Sequence, residues 1–229
     1  MSLPQAVLTL STDVLADLND DERLAFAYAH GPALSEFGDS AELVCVWDAE
    51  TVPDGVDDTA AHLTVARFEE LMDSLMLGEG WEEPGAEALH VIARFAEGIL
   101  LADDSELGSK ARAEVTEFPQ ALADASRSAV EQETETIAER LGAASDPWEL
   151  AELLTGGLHR AYVALFASAG YFFSGREHRT EFVERYMLGE EVPEAEAAVW
   201  AAAEAAPAER AQQLPEAWRK LAKTVLDNC

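Results

Sequence analysis

One stretch of the chain, residues 23–48, constrains the fold more than any other, because it has the pattern of two strands joined by a glycine turn. Bulky side chains alternate with alanines over residues 24–29, and this period of two is typical of a strand whose faces differ in bulk. Gly31 and its neighbours end the pattern. The apolar run 43–47 then predicts a second strand that is covered on both faces.

This arrangement resembles the nucleotidyltransferase superfamily of the polymerase-beta type, and its antibiotic-modifying members in particular. In that family the turn cradles a nucleoside triphosphate, and two carboxylates at the start of the second strand hold divalent metal. The metal supports attack of an acceptor hydroxyl on the alpha phosphate. Residues two apart on a strand point to the same face, so both carboxylates can reach one pair of ions.

The resemblance assigns site residues in this chain. Gly31 matches the nucleotide-binding turn glycine, but Pro32 replaces the serine after it and removes both a hydroxyl and a backbone N–H donor. Glu42 takes the place of the second carboxylate and Ser40 that of the first. Asp39 lies one residue early, so its side chain contributes only if the loop bulges. The implied catalytic set is therefore Glu42, Ser40 and Asp39.

A third carboxylate is expected on a later strand, which the apolar run 88–95 predicts. His90 is the candidate ligand there, so the resemblance implies Glu42 and His90 as metal ligands. Magnesium, the implied cofactor, prefers oxygen ligands in octahedral geometry, and a Ser/Glu/His set suits it poorly.

We therefore expect a divergent, catalytically impaired nucleotidyltransferase-like protein that binds a nucleotide. Two alternatives stay open. One is active metal-dependent transfer of a nucleotide from a triphosphate to a hydroxyl of a small-molecule acceptor. The other is a non-catalytic scaffold for self-association, for example as a homodimer. Whether the protein is an enzyme is left undecided by the sequence.

The rest of the first half completes a small domain. Apolar spacing predicts helices at 4–18 and 62–77, and the run 99–102 predicts a strand that forms a hairpin with 88–95. A proline at 119 marks a boundary. The expected first domain, residues 1–118, is a nucleotidyltransferase-like domain with a small mixed β-sheet.

The second half, residues 119–229, is predicted to be an all-helical bundle, which makes the fold class α+β. Five helices follow from spacing and from Gly or Pro boundaries: 120–141, 147–169, 177–188, 194–205 and 215–227. Arg176 and Arg179 lie in its least acidic stretch and are candidates for binding the nucleotide phosphates. The alternative is that these arginines form ordinary ion pairs with glutamates at helical spacing.

Charge limits the partners. The chain has 45 acidic and 15 basic residues, a formal net charge of -30, which opposes binding to nucleic acid and to anionic membrane surfaces. No apolar run is long enough to span a membrane. The two cysteines, one in the predicted second strand and one at residue 229, favour neither a disulfide nor a zinc site, and they indicate a cytoplasmic location.

Overall fold

A four-stranded mixed sheet and a larger set of helices make up the computed structural model of the chain, so the predicted α+β class is confirmed. The structure describes residues 4–18, 21–35, 37–56, 59–173, 175 and 178–229. None of the described helices has the length and apolar character needed to cross a lipid bilayer.

The elements follow one another along the first half of the chain. They are α1 (Gln5–Thr9), a π-helical turn (Leu10–Val14), α2 (Leu15–Leu18), β1 (Leu24–His30), α3 (Pro32–Ser35), β2 (Glu42–Trp47), β3 (Ala61–Thr64), α4 (Val65–Met76), α5 (Glu87–Glu97), β4 (Ile99–Ala102) and α6 (Leu107–Thr116). In the second half, the regular elements that the structure describes are all helices. They are α7 (Gln120–Ala143), α8 (Pro147–Ser168), α9 (Arg179–Tyr186), α10 (Val192–Ala203) and α11 (Pro207–Asp227).

The chain forms two compact units. The first, which we call the sheet unit, comprises Met1–Leu75 and Glu87–Phe118. The second, the helical unit, comprises Met76–Ala86 and Pro119–Cys229.

The sheet has the strand order β3-β2-β1-β4. β1 is antiparallel to both β2 and β4, and β2 is parallel to β3. Within the β1–β2 pair, Tyr28 lies opposite Val44 and His30 lies opposite Glu42. The end of β1 and the start of β2, the two inner strands, therefore meet at one end of the sheet.

The two faces of the sheet differ in bulk, as the alternation in β1 predicts. On one face Phe26 and Tyr28 pack against Phe95 of α5, with ring centroids 5.7 and 5.2 Å apart. On the other face Ala27 belongs to an apolar cluster with Trp47. Leu24 packs on this second face as well, because the pairing register shifts between residues 24 and 26.

The predicted strand 88–95 is wrong, because these residues form most of helix α5. A short apolar run does not distinguish a strand from a buried helix, and Leu89, Ile92 and Ala93 have helical spacing on the buried side. The predicted strand 99–102 is confirmed as β4, but its partner is β1 and not 88–95.

The predicted helix 62–77 begins later than expected. Residues 61–64 instead add β3 to the edge of the sheet beside β2, and α4 starts at Val65. The hydroxyl of Thr64 accepts a hydrogen bond of 3.2 Å from the N–H of Arg67, which caps the new helix. This cap explains why the helix begins where it does.

In the helical unit α7, α8, α10 and α11 pack around a shared core. The predicted start of α8 is confirmed, since Asp146 accepts a hydrogen bond from the N–H of Trp148, with Pro147 at the first helical position. Gly157 of α8 lies directly against the buried ring of Trp218 from α11. Helix α8 is buried along much of its length, from Leu150 to Ala167.

Candidate functional site

The sheet-end site consists of His30, Gly31, Ser40, Glu42 and Arg94, all in the sheet unit. Gly31 has a φ of +123°, a conformation that side chains rarely allow. A Cβ atom on this residue would lie 3.0 Å from the carbonyl oxygen of Ser40 and 3.7 Å from the backbone nitrogen of Glu42. The glycine therefore brings the turn after β1 directly against the start of β2.

His30 and Glu42 differ in exposure although they lie side by side. The Nε2 atom of His30 is 3.4 Å from a carboxylate oxygen of Glu42, in an orientation that does not make a hydrogen bond. The side chain of His30 is 8% exposed and that of Glu42 is 69% exposed. Burial, followed by the nearby charge of Arg94, lowers the pKa of His30 to about 4, against the smaller opposing effect of Glu42. His30 is therefore neutral at pH 7.

Two backbone N–H donors of the turn form hydrogen bonds within the turn and its return loop. The N–H of Ala33 donates to the carbonyl of Ser40 at 2.9 Å, and the N–H of Leu34 donates to that of Gly31 at 3.0 Å. Pro32 has no N–H group. A phosphate at this turn would therefore depend on side-chain cations more than on the backbone cradle that the resemblance implies.

The residues with catalytic or metal-binding assignments are placed as follows. Asp39 and Ser40 are exposed in the loop before β2, and Glu42 is the first residue of that strand. His90 is half-buried on helix α5. Within the described part of the chain, Glu42 belongs to no group of three carboxylate, imidazole or thiolate side chains close enough to hold one ion. The set of Ser40, Glu42 and His90 that the resemblance implies also suits Mg²⁺ poorly, because the ion prefers oxygen ligands.

The two arginines with phosphate-binding assignments lie in the second half of the chain. Arg176 is outside the described residues. Arg179 is the first residue of α9, and its Nε atom donates to a carboxylate oxygen of Glu196 at 3.2 Å. A second guanidinium nitrogen of Arg179 contacts the other oxygen of Glu196.

The helical unit contains a cavity of about 210 Å³, which we call the helical cavity. Helix α8 supplies four lining residues at helical spacing on one face, and the others come from the segment after α8, from α9 and from α10. The lining residues are Thr155, Leu158, His159, Tyr162, Phe173, Arg179 and Trp200.

Glu196 organises one wall of the helical cavity. It is 3% exposed and accepts hydrogen bonds from Arg179, from the hydroxyl of Tyr162, and from the indole N–H of Trp200 at 2.8 Å. Burial opposes the charge on Glu196, but these hydrogen bonds outweigh it and lower the pKa of the carboxyl. Burial, reinforced by Glu196, raises the pKa of Tyr162. At pH 7 the carboxylate is therefore ionised and the phenol remains a donor.

One feature of the sequence indicates this wall, namely an acidic residue within the apolar stripe of α10. Val192, Ala195 and Val199 form the buried stripe of α10, and Glu196 occupies a position within that stripe. An acidic residue on the buried face of a helix requires a bonded partner, because an unpaired buried charge is costly. Arg179 is that partner.

No protein-family model matches the chain, and no curated protein is significantly similar to it. The functional interpretation therefore depends on the geometry of the two sites.

Proposed function

We propose that the protein is a nucleotidyltransferase-like protein that binds a nucleoside triphosphate at the sheet-end site and is impaired in metal-dependent transfer. The observation that supports this proposal is the contact between the Gly31 turn and the start of β2. The turn and Glu42 thus lie together at one end of the two inner strands, which is the arrangement that the family resemblance implies.

Arg94 provides the cationic group for such a ligand. It lies on the exposed side of α5, and its charge is close enough to His30 to help lower the pKa of the imidazole. A guanidinium group pairs well with phosphate oxygens. Because the N–H groups of Ala33 and Leu34 are already bonded within the turn and Pro32 has none, we expect Arg94 to supply the main attraction for the triphosphate.

Glu42 is expected to act against this attraction. Its carboxylate is exposed beside a neutral histidine, so no protonated imidazole offsets its charge at pH 7. The net charge of -30 opposes an anionic ligand in the same direction. Binding is therefore expected to be weak, with a Kd on the order of 1 mM.

The direction in which Glu42→Gln changes the affinity for ATP distinguishes this proposal from an active enzyme. Isothermal titration calorimetry would measure ATP binding to the full chain, first with EDTA and then with Mg²⁺. Glu42→Gln removes a repulsion, so we expect tighter binding by a few-fold in both buffers. Arg94→Gln is expected to weaken binding, while Lys110→Gln, which removes an exposed charge elsewhere in the sheet unit, serves as the matched control.

Two results would contradict the proposal. If ATP bound only with Mg²⁺ and Glu42→Gln abolished that binding, the carboxylate would be a metal ligand and the protein an active transferase candidate. Release of pyrophosphate from ATP together with formation of a nucleotidylated acceptor, and not of free AMP, would then confirm transfer. If no heat were detected with ATP at about ten times the expected Kd, nucleotide binding itself would be excluded and the scaffold alternative favoured.

A further inference from the structure

The helical cavity has the size of a small-ligand site. Its volume is about 210 Å³, whereas an engineered apolar cavity of about 150 Å³ is sufficient to bind benzene. We propose that the helical cavity binds a small, uncharged aromatic molecule of one or two rings. This inference does not depend on nucleotide binding at the sheet-end site.

The walls of the cavity are held in place before any ligand arrives. The hydrogen bonds to Glu196 fix Tyr162, Arg179 and Trp200. Phe173 stacks on Tyr162, with ring centroids 5.7 Å apart and an angle of 23° between the planes. A preorganised wall binds more tightly because few side chains lose freedom on binding.

The chemistry of the wall selects aromatic ligands. Tyr162, Phe173, His159 and Trp200 offer ring faces and edges, and aromatic pairs gain energy beyond the area that they bury. Thr155 adds a hydroxyl group, which can exchange a hydrogen bond with a phenol or an indole. A ring with one polar atom therefore matches the lining better than an aliphatic molecule of equal size.

The charges in the wall disfavour ionic ligands. Arg179 and Glu196 form a bonded pair, so their charges offset each other within the described part of this wall. A cation would lie close to Arg179, and an anion would meet the field of a chain with a net charge of -30. An ion that enters the cavity would lose its water without gaining a counter-charge.

The test uses the full chain and a panel of probes. Calorimetry and saturation-transfer NMR would compare indole and phenol with cyclohexanol, benzoate and benzylammonium. We expect indole and phenol to bind and the other three probes to bind at least about tenfold more weakly. Equal binding of cyclohexanol, or tighter binding of either ion, would overturn the proposed ligand class.

Three variants locate the binding. Thr155→Phe fills the cavity and Phe173→Leu removes a ring from its wall, and each is expected to reduce indole affinity by about tenfold or more. Trp148→Leu is the matched control, because Trp148 belongs to the same unit, is 83% exposed and does not line the cavity. Circular dichroism would check that each variant is folded. Indole binding that survives both cavity variants, or no binding at the solubility limit, would overturn the proposal.

Discussion

The sheet unit and the helical unit each place a carboxylate beside a titratable side chain, and they differ in which partner is buried. In the sheet unit His30 is buried and Glu42 is 69% exposed. In the helical unit Glu196 is 3% exposed and is bonded to Arg179, Tyr162 and Trp200. The first arrangement leaves a carboxylate available to solvent and ligands, whereas the second uses its carboxylate to hold a wall.

The role of an ionisable residue therefore depends on the partners of its side chain. A buried carboxylate that accepts several charge-assisted hydrogen bonds is a structural fixture, and its removal affects stability. An exposed carboxylate beside a neutral histidine contributes little to stability and mainly sets the local potential. Substitution of the carboxylate should therefore cost much more stability in the helical unit than in the sheet unit.

The largest effect is expected for Glu196→Ala. This change removes the acceptor of the hydrogen bonds from Arg179, Tyr162 and Trp200, and with it the carboxylate that pairs with Arg179, which is 26% exposed. Breaking such a pair from one side costs about 3–4 kcal/mol of unfolding free energy, and the partial exposure of Arg179 keeps the value at the low end. Urea unfolding followed by circular dichroism would measure it.

The matched control for that variant is Glu194→Ala, because Glu194 is exposed on the same helix. We expect it to change the unfolding free energy by less than about 0.5 kcal/mol. Equal losses in the two variants would contradict the contrast between the units, since Glu196 would then behave as a surface charge.

A second effect concerns pH and the sheet unit. The pKa of His30 is about 4 in the folded chain, compared with the ordinary value near 6.5. Below pH 6.5 the unfolded chain therefore binds a proton that the folded chain excludes. Proton binding by the unfolded chain lowers the unfolding free energy. His30 therefore causes no loss of stability above pH 6.5, and the loss grows as the pH falls toward 4. Between pH 7 and pH 5 the expected loss is about 2 kcal/mol.

Urea titrations at several pH values would check this expectation, and NMR titration of the His30 ring proton would give its pKa directly. His30→Gln should flatten the stability curve over this pH range. His178→Gln, at a more exposed histidine, is the control. An unchanged curve in His30→Gln would show that another group carries the pH dependence.

The sequence predicted the parts of the fold that local patterns determine. The alternation in β1, the apolar run of β2 and the cap of α8 at Asp146 each depend on neighbouring residues, and each prediction is confirmed. Residues 88–95 form a helix and not the predicted strand, because a run of eight mostly apolar residues fits both a strand and a buried helix. Tertiary packing against the aromatic face of the sheet decides that case.

The sites were less predictable than the fold. The contact between Gly31 and Ser40 depends on how a loop returns, and the pairing of Arg179 with Glu196 joins two helices through their side chains. Periodicity within one element does not identify the residue of another element that it contacts. The acidic residue in the apolar stripe of α10 was the available signal, and it indicates that a partner is required without naming it.

The smallest effect is expected for Gly157→Ala, a substitution that tests how tightly the helical unit is packed around α8. A Cβ atom at Gly157 would lie 2.6 Å from the indole ring of Trp218, which is buried in the core. Gly157→Ala therefore forces the ring or the helix to move, and we expect a net loss of about 1–2 kcal/mol after the gain in helix propensity. Urea unfolding of the variant would measure the loss.

The adjacent glycine provides the control, because a Cβ atom at Gly156 would meet only the guanidinium end of Arg160, at 3.4 Å. Gly156→Ala should therefore stabilise the protein by about 0.5–1 kcal/mol, the usual gain from replacing glycine within a helix. Opposite signs at neighbouring positions would show that the packing against Trp218, and not helix propensity, controls the response. Equal gains at both positions would mean that the ring moves freely, and the helical unit would then lack the rigidity on which its preformed cavity depends.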